Sequence, residues 1–216
     1  MINNTAFLFD LDGVIIDTEP QYDIFWKKTG EKYRLGIENF EKIIKGTVLP
    51  DILSNYFSHF PETTQQEIAV ANQTFELEMN IIPVSGALVF LEEAKKAGIP
   101  MGLVTSSDDR KIEYVFSRLP VRQYFDVIVS ADRITHGKPD PMCYLLAAQD
   151  LGISPDNCYV FEDSFNGIKS GNAAGMKVVG LSTTNSADSI IKDCIIVIPD
   201  FCNFSLIYED ILRKKL

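Results

Sequence analysis

Six short runs of almost purely apolar residues divide this chain, and amphipathic stretches of helical length lie between most of them. The runs span residues 6–9, 101–104, 127–129, 159–161, 178–181 and 195–198, and helical patterns cover residues 86–97, 110–118, 141–151 and 164–174. Strands without polar alternation are typical of parallel sheets that are buried on both faces. Their alternation with helices predicts an α/β fold, a doubly wound and mostly parallel sheet.

One long stretch interrupts this alternation. Between the first two runs there are only amphipathic segments, at residues 22–31, 37–45, 52–57 and 65–79, separated by Pro and Gly. This pattern indicates an all-helical subdomain, residues 18–82, inserted into a core of residues 1–17 and 83–216. Asp17–Thr18 and Pro83–Val84 would then be paired hinges.

The charge of the chain argues against polyanionic partners. It contains 20 Lys and Arg against 30 Asp and Glu, a formal net charge of −10. Such a surface repels nucleic acid and anionic lipid, so neither is an expected partner. No apolar run approaches the ~20 residues of a membrane-spanning helix. The first residues lack the basic start of a signal peptide, and the four cysteines show no CxxC spacing. We expect a cytoplasmic monomer with free thiols.

Acidic residues directly follow the first predicted strand, at the edge where parallel sheets form their ligand crevice. Asp10 and Asp12 project to the same side of an extended backbone. Two close carboxylates resist joint ionisation unless a cation or a proton intervenes. One could therefore act as a nucleophile and the other as a general acid and base. A solvated acidic loop is the alternative for this pair taken alone.

Three further segments follow other strands. The Thr-Ser-Ser segment at residues 105–107 offers hydroxyl and amide donors to an oxyanion at a helix start, although ordinary helix capping uses the same residue types. Lys138, fixed by neighbouring prolines, can neutralise a phosphoryl group, or it can be a surface residue of a turn. Glu162 and Asp163 carry the hard oxygen ligands that magnesium binds.

A charge count favours a metal ion at this edge. Asp10, Asp12, Glu162 and Asp163 together carry −4, and Lys138 returns +1. One divalent cation, with a proton on Asp12, would bring the site close to neutrality. The residues therefore predict Mg²⁺ as the cofactor.

Four motifs, in order along nearly the whole chain, resemble those of the haloacid dehalogenase superfamily. They are DLDGVIIDTEP from residue 10, TSS at 105–107, GKPDP at 137–141 and FEDSxxGI at 161–168. The chain is similar in particular to the β-phosphoglucomutase-like branch, which has a small helical (C1-type) cap after its first strand. The resemblance implies Mg²⁺-dependent phosphoryl transfer through an aspartyl-phosphate, with residues 18–82 as the cap.

The resemblance also implies roles for single residues. Asp10 would attack phosphorus, and Asp12 would protonate the departing alcohol and then activate water. Thr105 and the amide of Ser106 would hold phosphate oxygens, and Lys138 would bridge the phosphate and the nucleophile.

Metal and substrate ligands follow from the same resemblance. Mg²⁺ would be bound by the Asp10 carboxylate, the Asp12 carbonyl, Asp163 and, through water, Glu162. The substrate side of the pocket would include Ser107, Trp26, Lys45 and Gly46. Trp26 can equally be a core residue, on the buried face of an amphipathic helix.

The chain departs from the mutase pattern where that enzyme holds a second phosphate. Leu49 stands in place of a cap arginine, Tyr22 in place of a histidine, and Asp108–Asp109 in place of Lys-Asn. Loss of a bidentate cation weakens recognition of a bisphosphate. These differences favour a phosphatase that hydrolyses small phosphomonoesters such as sugar phosphates, and a sugar-phosphate mutase is the alternative.

Two other classes fit part of the pattern. A signalling receiver domain also clusters aspartates, a hydroxyl and a lysine around magnesium, but it places its acidic pair first and lacks a helical insert. A catalytically silent binding protein would be expected to have lost one of the motif residues.

Overall fold

The computed structural model describes residues 5–203 and 207–209, and its centre is a six-stranded parallel sheet. The strands are β1 (Ala6–Phe9), β2 (Met101–Val104), β3 (Val127–Val129), β4 (Cys158–Glu162), β5 (Lys177–Leu181) and β6 (Ile196–Ile198). They lie in the order β3-β2-β1-β4-β5-β6, and every neighbouring pair is parallel. The predicted doubly wound α/β fold is confirmed.

Helices cover both faces of this sheet. Residues of α5 (Ala87–Lys96) and α6 (Asp109–Arg118) share one buried cluster with Phe7 and Phe9 of β1. Residues of α7 (Met142–Leu151), α8 (Phe165–Ala173) and α9 (Ala187–Ile190) share the opposite cluster with Ala6 and Leu8. The side chains of β1 alternate between two apolar layers, which explains its continuous hydrophobicity. No helix in the described part of the chain is long and apolar enough to cross a membrane.

Four helices follow β1 along the chain before α5, and we call them the helical insert. They are α1 (Glu19–Lys32), α2 (Phe40–Ile43), α3 (Leu49–Tyr56) and α4 (Glu62–Glu78). They pack around their own buried cluster, which includes Trp26, Phe40 and Phe57. Helices α1 and α3 begin earlier than the apolar pattern predicts, because Pro20 and Pro50 lie in their first turns, where no amide hydrogen bond is lost. Helix α2 is shorter than predicted.

The chain enters and leaves the insert at adjacent points. The amide of Asp17 donates to the carbonyl of Ile82 at 2.7 Å, and the amide of Val84 donates to the carbonyl of Ile15 at 3.0 Å. These bonds join the two connecting segments in antiparallel fashion beside the end of β1. Both segments lie at the edge of the sheet that carries the sequence motifs.

Candidate active site

The motif residues meet at the carboxyl edge of the three central strands. Asp10 follows β1, Thr105 follows β2, and Glu162 is the last residue of β4. Because β1 lies between β2 and β4, these three positions are neighbours in space. Lys138 reaches the same place from the loop between β3 and α7.

Lys138 joins two of the motifs. Its Nζ donates to Asp10 Oδ1 at 2.8 Å and to Glu162 Oε1 at 2.6 Å, and its side chain is 1% exposed. Burial alone would lower the pKa of Lys138, but the carboxylates of Asp10 and Glu162 hold that pKa well above its ordinary value. Burial raises the pKa of Asp10 to about 7 against the lowering effect of Lys138. The site therefore keeps its lysine charged and needs more positive charge to ionise Asp10 fully.

Both carboxylate oxygens of Glu162 are occupied by hydrogen bonds from the chain itself. Oε1 accepts from Lys138 Nζ and, at 3.0 Å, from the Tyr144 hydroxyl. Oε2 accepts from the amides of Asp163 and Ser164 and from the Ser164 hydroxyl, at 3.0–3.1 Å. A Cβ at Gly167 would lie 1.7 Å from Oε1, so only glycine leaves room for this carboxylate. Glu162 acts here as the anchor that holds Lys138.

Asp163 completes a buried acidic cluster. Carboxylate oxygens of Asp10, Glu162 and Asp163 lie within 4.8 Å of one another. Asp163 Oδ2 is buried and makes no hydrogen bond of normal geometry with the residues described. Gly13 has φ of +73°, and a Cβ there would lie 2.0 Å from the same oxygen. A buried carboxylate oxygen that makes no hydrogen bond of normal geometry, beside other carboxylates, fits a hard divalent cation such as Mg²⁺.

Asp12 is held by three donors, one of which the sequence analysis missed. Its Oδ2 accepts from Lys111 Nζ at 2.5 Å and from Ser107 Oγ at 3.2 Å, and its Oδ1 accepts from the Thr18 hydroxyl. Lys111 is completely buried. The charge count from the sequence included Lys138 but not Lys111, and it must be corrected. The same four carboxylates together with two lysines carry a net charge of −2. One divalent cation would bring that charge to zero before substrate binds.

A sequence signal for Lys111 exists in retrospect. Lys111 lies on the inward face of the amphipathic helix α6, next to Ile112 and near Val115, which are both buried. A lysine on an apolar face is seldom buried without a carboxylate partner. Tyr144, on the inward face of α7, gave no comparable signal.

The Thr-Ser-Ser segment forms the turn between β2 and α6. The Thr105 hydroxyl accepts from the amide of Ser107 at 3.1 Å, and the Ser106 hydroxyl donates to the carbonyl of Gly46 in the insert at 3.0 Å. The ordinary capping role belongs to Asp108, whose side chain accepts from the amide of Lys111. All three hydroxyl residues line a cavity between the insert and the sheet edge.

A cavity of about 360 Å³ lies between the insert and the sheet edge. Its carboxylate residues are Asp10, Asp12, Glu19, Glu41, Asp51, Glu76, Asp108, Asp132 and Asp163, and its cationic residues in the described chain are Lys45 and Arg110. Lys45 pairs with Glu19 at 2.7 Å and with Asp23 at 2.8 Å. Arg110 pairs with Glu76 at 3.2 Å and with Asp108 at 3.0 Å. Neither cation is left over for a second phosphate.

The insert also contributes uncharged and aromatic side chains to this cavity, beside the charged residues just named. Trp26 lines it while also packing in the core of the insert, so both readings of this residue apply. Asn72 is 4% exposed, lines the cavity, and its Oδ1 accepts no hydrogen bond from a described residue. Gly46 and Leu49 also line the cavity. His136, by contrast, is exposed and lies in a loop.

Comparisons with known proteins agree with this geometry. The haloacid dehalogenase-like hydrolase family matches residues 5–175. Hexitol phosphatase A of Escherichia coli is 33% identical over 185 residues, 82% of each chain. Fructose-1-phosphate phosphatase of the same organism is 31% identical, over 81% of this chain and 94% of its own.

Solved structures show the same likeness. The β-phosphoglucomutase of Clostridium difficile superposes with a TM-score of 0.81 at 26% identity, over 97% of this chain and 98% of that one. The family match covers all four motifs that meet at the sheet edge. The chain belongs to the haloacid dehalogenase-like hydrolases, in the β-phosphoglucomutase-like branch.

Proposed function

We propose that this chain is a Mg²⁺-dependent phosphatase that hydrolyses phosphomonoesters of small sugars or polyols through an aspartyl-phosphate. The observation that carries the proposal is the buried contact of Lys138 with Asp10 beside the buried carboxylate of Asp163. Phosphoryl transfer depends mainly on positioning and on neutralising charge, and this cluster supplies both.

The chain's own residues divide the work of two successive displacements. In the first, Asp10 attacks phosphorus while Lys138 offsets charge on the transferring group, and the departing alcohol takes a proton from Asp12. In the second, the oxygen of a water molecule attacks phosphorus while Asp12 takes a proton from that water. The bond between phosphorus and Asp10 breaks, and the Asp10 carboxylate is free again. Thr105 and Ser106 line the cavity at the point where phosphate oxygens would lie.

Asp10, Asp163 and the carbonyl of Asp12 are the proposed ligands of Mg²⁺. When bound, the cation would neutralise charge on the phosphoryl oxygens and keep Asp10 ionised. We assign Glu162 to holding Lys138, because both of its oxygens already accept hydrogen bonds within the chain.

The cavity supports a neutral leaving group rather than a second phosphate. Its cations, Lys45 and Arg110, are already paired with carboxylates, and the insert adds further carboxylates to the wall together with aromatic and amide side chains. The unpartnered Asn72 Oδ1 can accept a hydrogen bond from a sugar hydroxyl. Relatives whose names state an action on hexitol phosphates and on fructose 1-phosphate support the same choice. We propose that residues 18–82 act as the cap that selects this group.

The test is phosphate release from a panel of hexitol, hexose and pentose phosphates, with and without Mg²⁺, beside an assay for isomerisation of β-glucose 1-phosphate. We expect Mg²⁺-dependent hydrolysis of monophosphates and no isomerisation. Efficient conversion to glucose 6-phosphate would support the mutase as the function. Full hydrolysis in excess chelator would contradict the requirement for Mg²⁺.

A pair of matched variants ties the activity to the site. Asp10→Asn should abolish phosphate release, whereas Asp188→Asn, an exposed aspartate of α9, should retain it. Residual turnover by Asp10→Asn near the wild-type rate contradicts the assignment of the nucleophile.

A further inference from the structure

Lys111 is a buried lysine that no sequence motif of the chain uses. Its side chain is 0% exposed, and its Nζ lies 2.5 Å from Asp12 Oδ2 and 2.7 Å from the Tyr22 hydroxyl. Asp12 comes from the sheet edge and Tyr22 from α1 of the insert, while Lys111 belongs to α6. One ammonium group therefore joins three parts of the molecule.

The hydrogen bonds of this group have consistent directions. Lys111 donates to the Tyr22 oxygen, and the Tyr22 hydroxyl donates to Glu76 Oε1 at 2.9 Å in α4. The neighbouring Arg110 donates to Glu76 Oε2. Residues 110–111 of α6 thus hold both α1 and α4 of the insert against the sheet edge.

Burying a lysine is unfavourable unless its charge is paired and hydrogen-bonded. Here the pairing falls on the one carboxylate that is proposed to move protons. Asp12 lines the cavity and its side chain is 14% exposed, so Asp12 can contact a ligand, whereas the Lys111 side chain has no exposed surface. Any effect of Lys111 on the reaction must act through the groups that it contacts, and of these Asp12 is the carboxylate at the sheet edge.

We propose that Lys111 is a positioning residue, which orients the Asp12 carboxylate toward the water that hydrolyses the aspartyl-phosphate. This inference rests on the proposed function. In that step the water oxygen bonds to phosphorus, the bond between phosphorus and Asp10 breaks, and its electron pair returns to the Asp10 carboxylate. One water proton passes to Asp12. Lys111 and Ser107 on Oδ2, with Thr18 on Oδ1, prevent the carboxylate from turning away.

If Lys111 positions Asp12, its loss should affect only one of the two half-reactions. A general structural role would affect both half-reactions together. With p-nitrophenyl phosphate the leaving group needs no proton, so transfer of the phosphoryl group to Asp10 does not depend on Asp12. Loss of Lys111 should then slow only the second half-reaction.

Rapid-quench kinetics of Lys111→Met with p-nitrophenyl phosphate and Mg²⁺ test this. We expect a burst of about one p-nitrophenolate per active site at the wild-type rate, then steady turnover reduced by about tenfold or more. The burst amplitude counts the working active sites. Partial misfolding therefore lowers the amplitude, but it does not change the burst rate constant or the steady rate per working site. Lys95→Met, which removes the exposed pair with Asp126, is the matched control and should change neither rate.

Two results overturn the inference. One is a wild-type steady rate in Lys111→Met, and the other is an equal fall of the burst rate and the steady rate. A wild-type protein that releases phosphate neither from p-nitrophenyl phosphate nor from any sugar phosphate of the panel would instead refute the proposed function.

A second background keeps the test valid if Lys111→Met folds poorly with Asp12 left unpaired. Asp12→Asn/Lys111→Met removes both charges together. If Lys111 acts through Asp12, the double variant should hydrolyse its phosphoenzyme as slowly as Asp12→Asn alone. A further tenfold loss in the double variant would show that Lys111 acts by another route.

Discussion

Two lysines that are buried in the described structure lie against different carboxylates of the first motif, Lys138 against Asp10 and Lys111 against Asp12. The sequence predicted Lys138, because prolines fix its loop at a strand end. It did not predict the pairing of Lys111 with Asp12, because the two are 99 positions apart and only the packing of α6 brings them together. Residue types and strand ends can thus be read from a sequence, whereas the partner of an inward-facing side chain depends on tertiary packing.

The raised pKa of Asp10 predicts how stability changes with pH. The folded value is about 7 against an ordinary 3.8, so between these values the folded state keeps a proton that the unfolded state releases. Metal-free protein should therefore lose stability as the pH rises from about 4 to about 7.

Asp10→Asn isolates that effect. It should raise the melting temperature of metal-free protein at pH 8 and change it less at pH 5, and Mg²⁺ should stabilise the wild type more than the variant. Calorimetry at both pH values checks this. A variant less stable than the wild type at pH 8 without metal would contradict the electrostatic reading of the site.

At the scale of elements, the insert and the sheet are joined by specific hydrogen bonds. Asn166 of α8 donates at 3.1 Å to the carbonyl of Lys45 and to the hydroxyl of Thr47. Such bonds contribute about 0.5–1.5 kcal/mol each. The sequence predicted the strands and the main helices within a few residues, but it could not predict which residues join the insert to α8, because these contacts depend on docking rather than periodicity.

Asn166→Ala should weaken the contact between the insert and α8. We expect kcat/KM for the best sugar phosphate to fall by about three- to tenfold, with a smaller change in melting temperature. Asn172→Ala, on the same helix but bonded to the carbonyl of Asp193, is the matched control. Equal effects of the two variants on kcat/KM would argue that the insert does not need this contact.

At the scale of the whole molecule, the described residues form separate apolar clusters, two on the faces of the sheet and one inside the insert. Phe57 is completely buried in the cluster of the insert. Phe57→Ala should cost the insert about 3–5 kcal/mol. Hydrogen exchange should then speed up in α1–α4 and stay close to wild type in α5–α8. Uniform loss of protection over both regions would mean that residues 18–82 do not form a unit of their own.

The central claim, that Asp10 carries the phosphoryl group, is tested most directly by chemical trapping during turnover. Borohydride reduces an aspartyl-phosphate to homoserine, which mass spectrometry can locate within the peptide that ends at Lys27. We predict homoserine at position 10 when both substrate and Mg²⁺ are present, and none in Asp10→Asn. Active turnover that leaves Asp10 unmodified, or that places homoserine at another aspartate, would contradict the account.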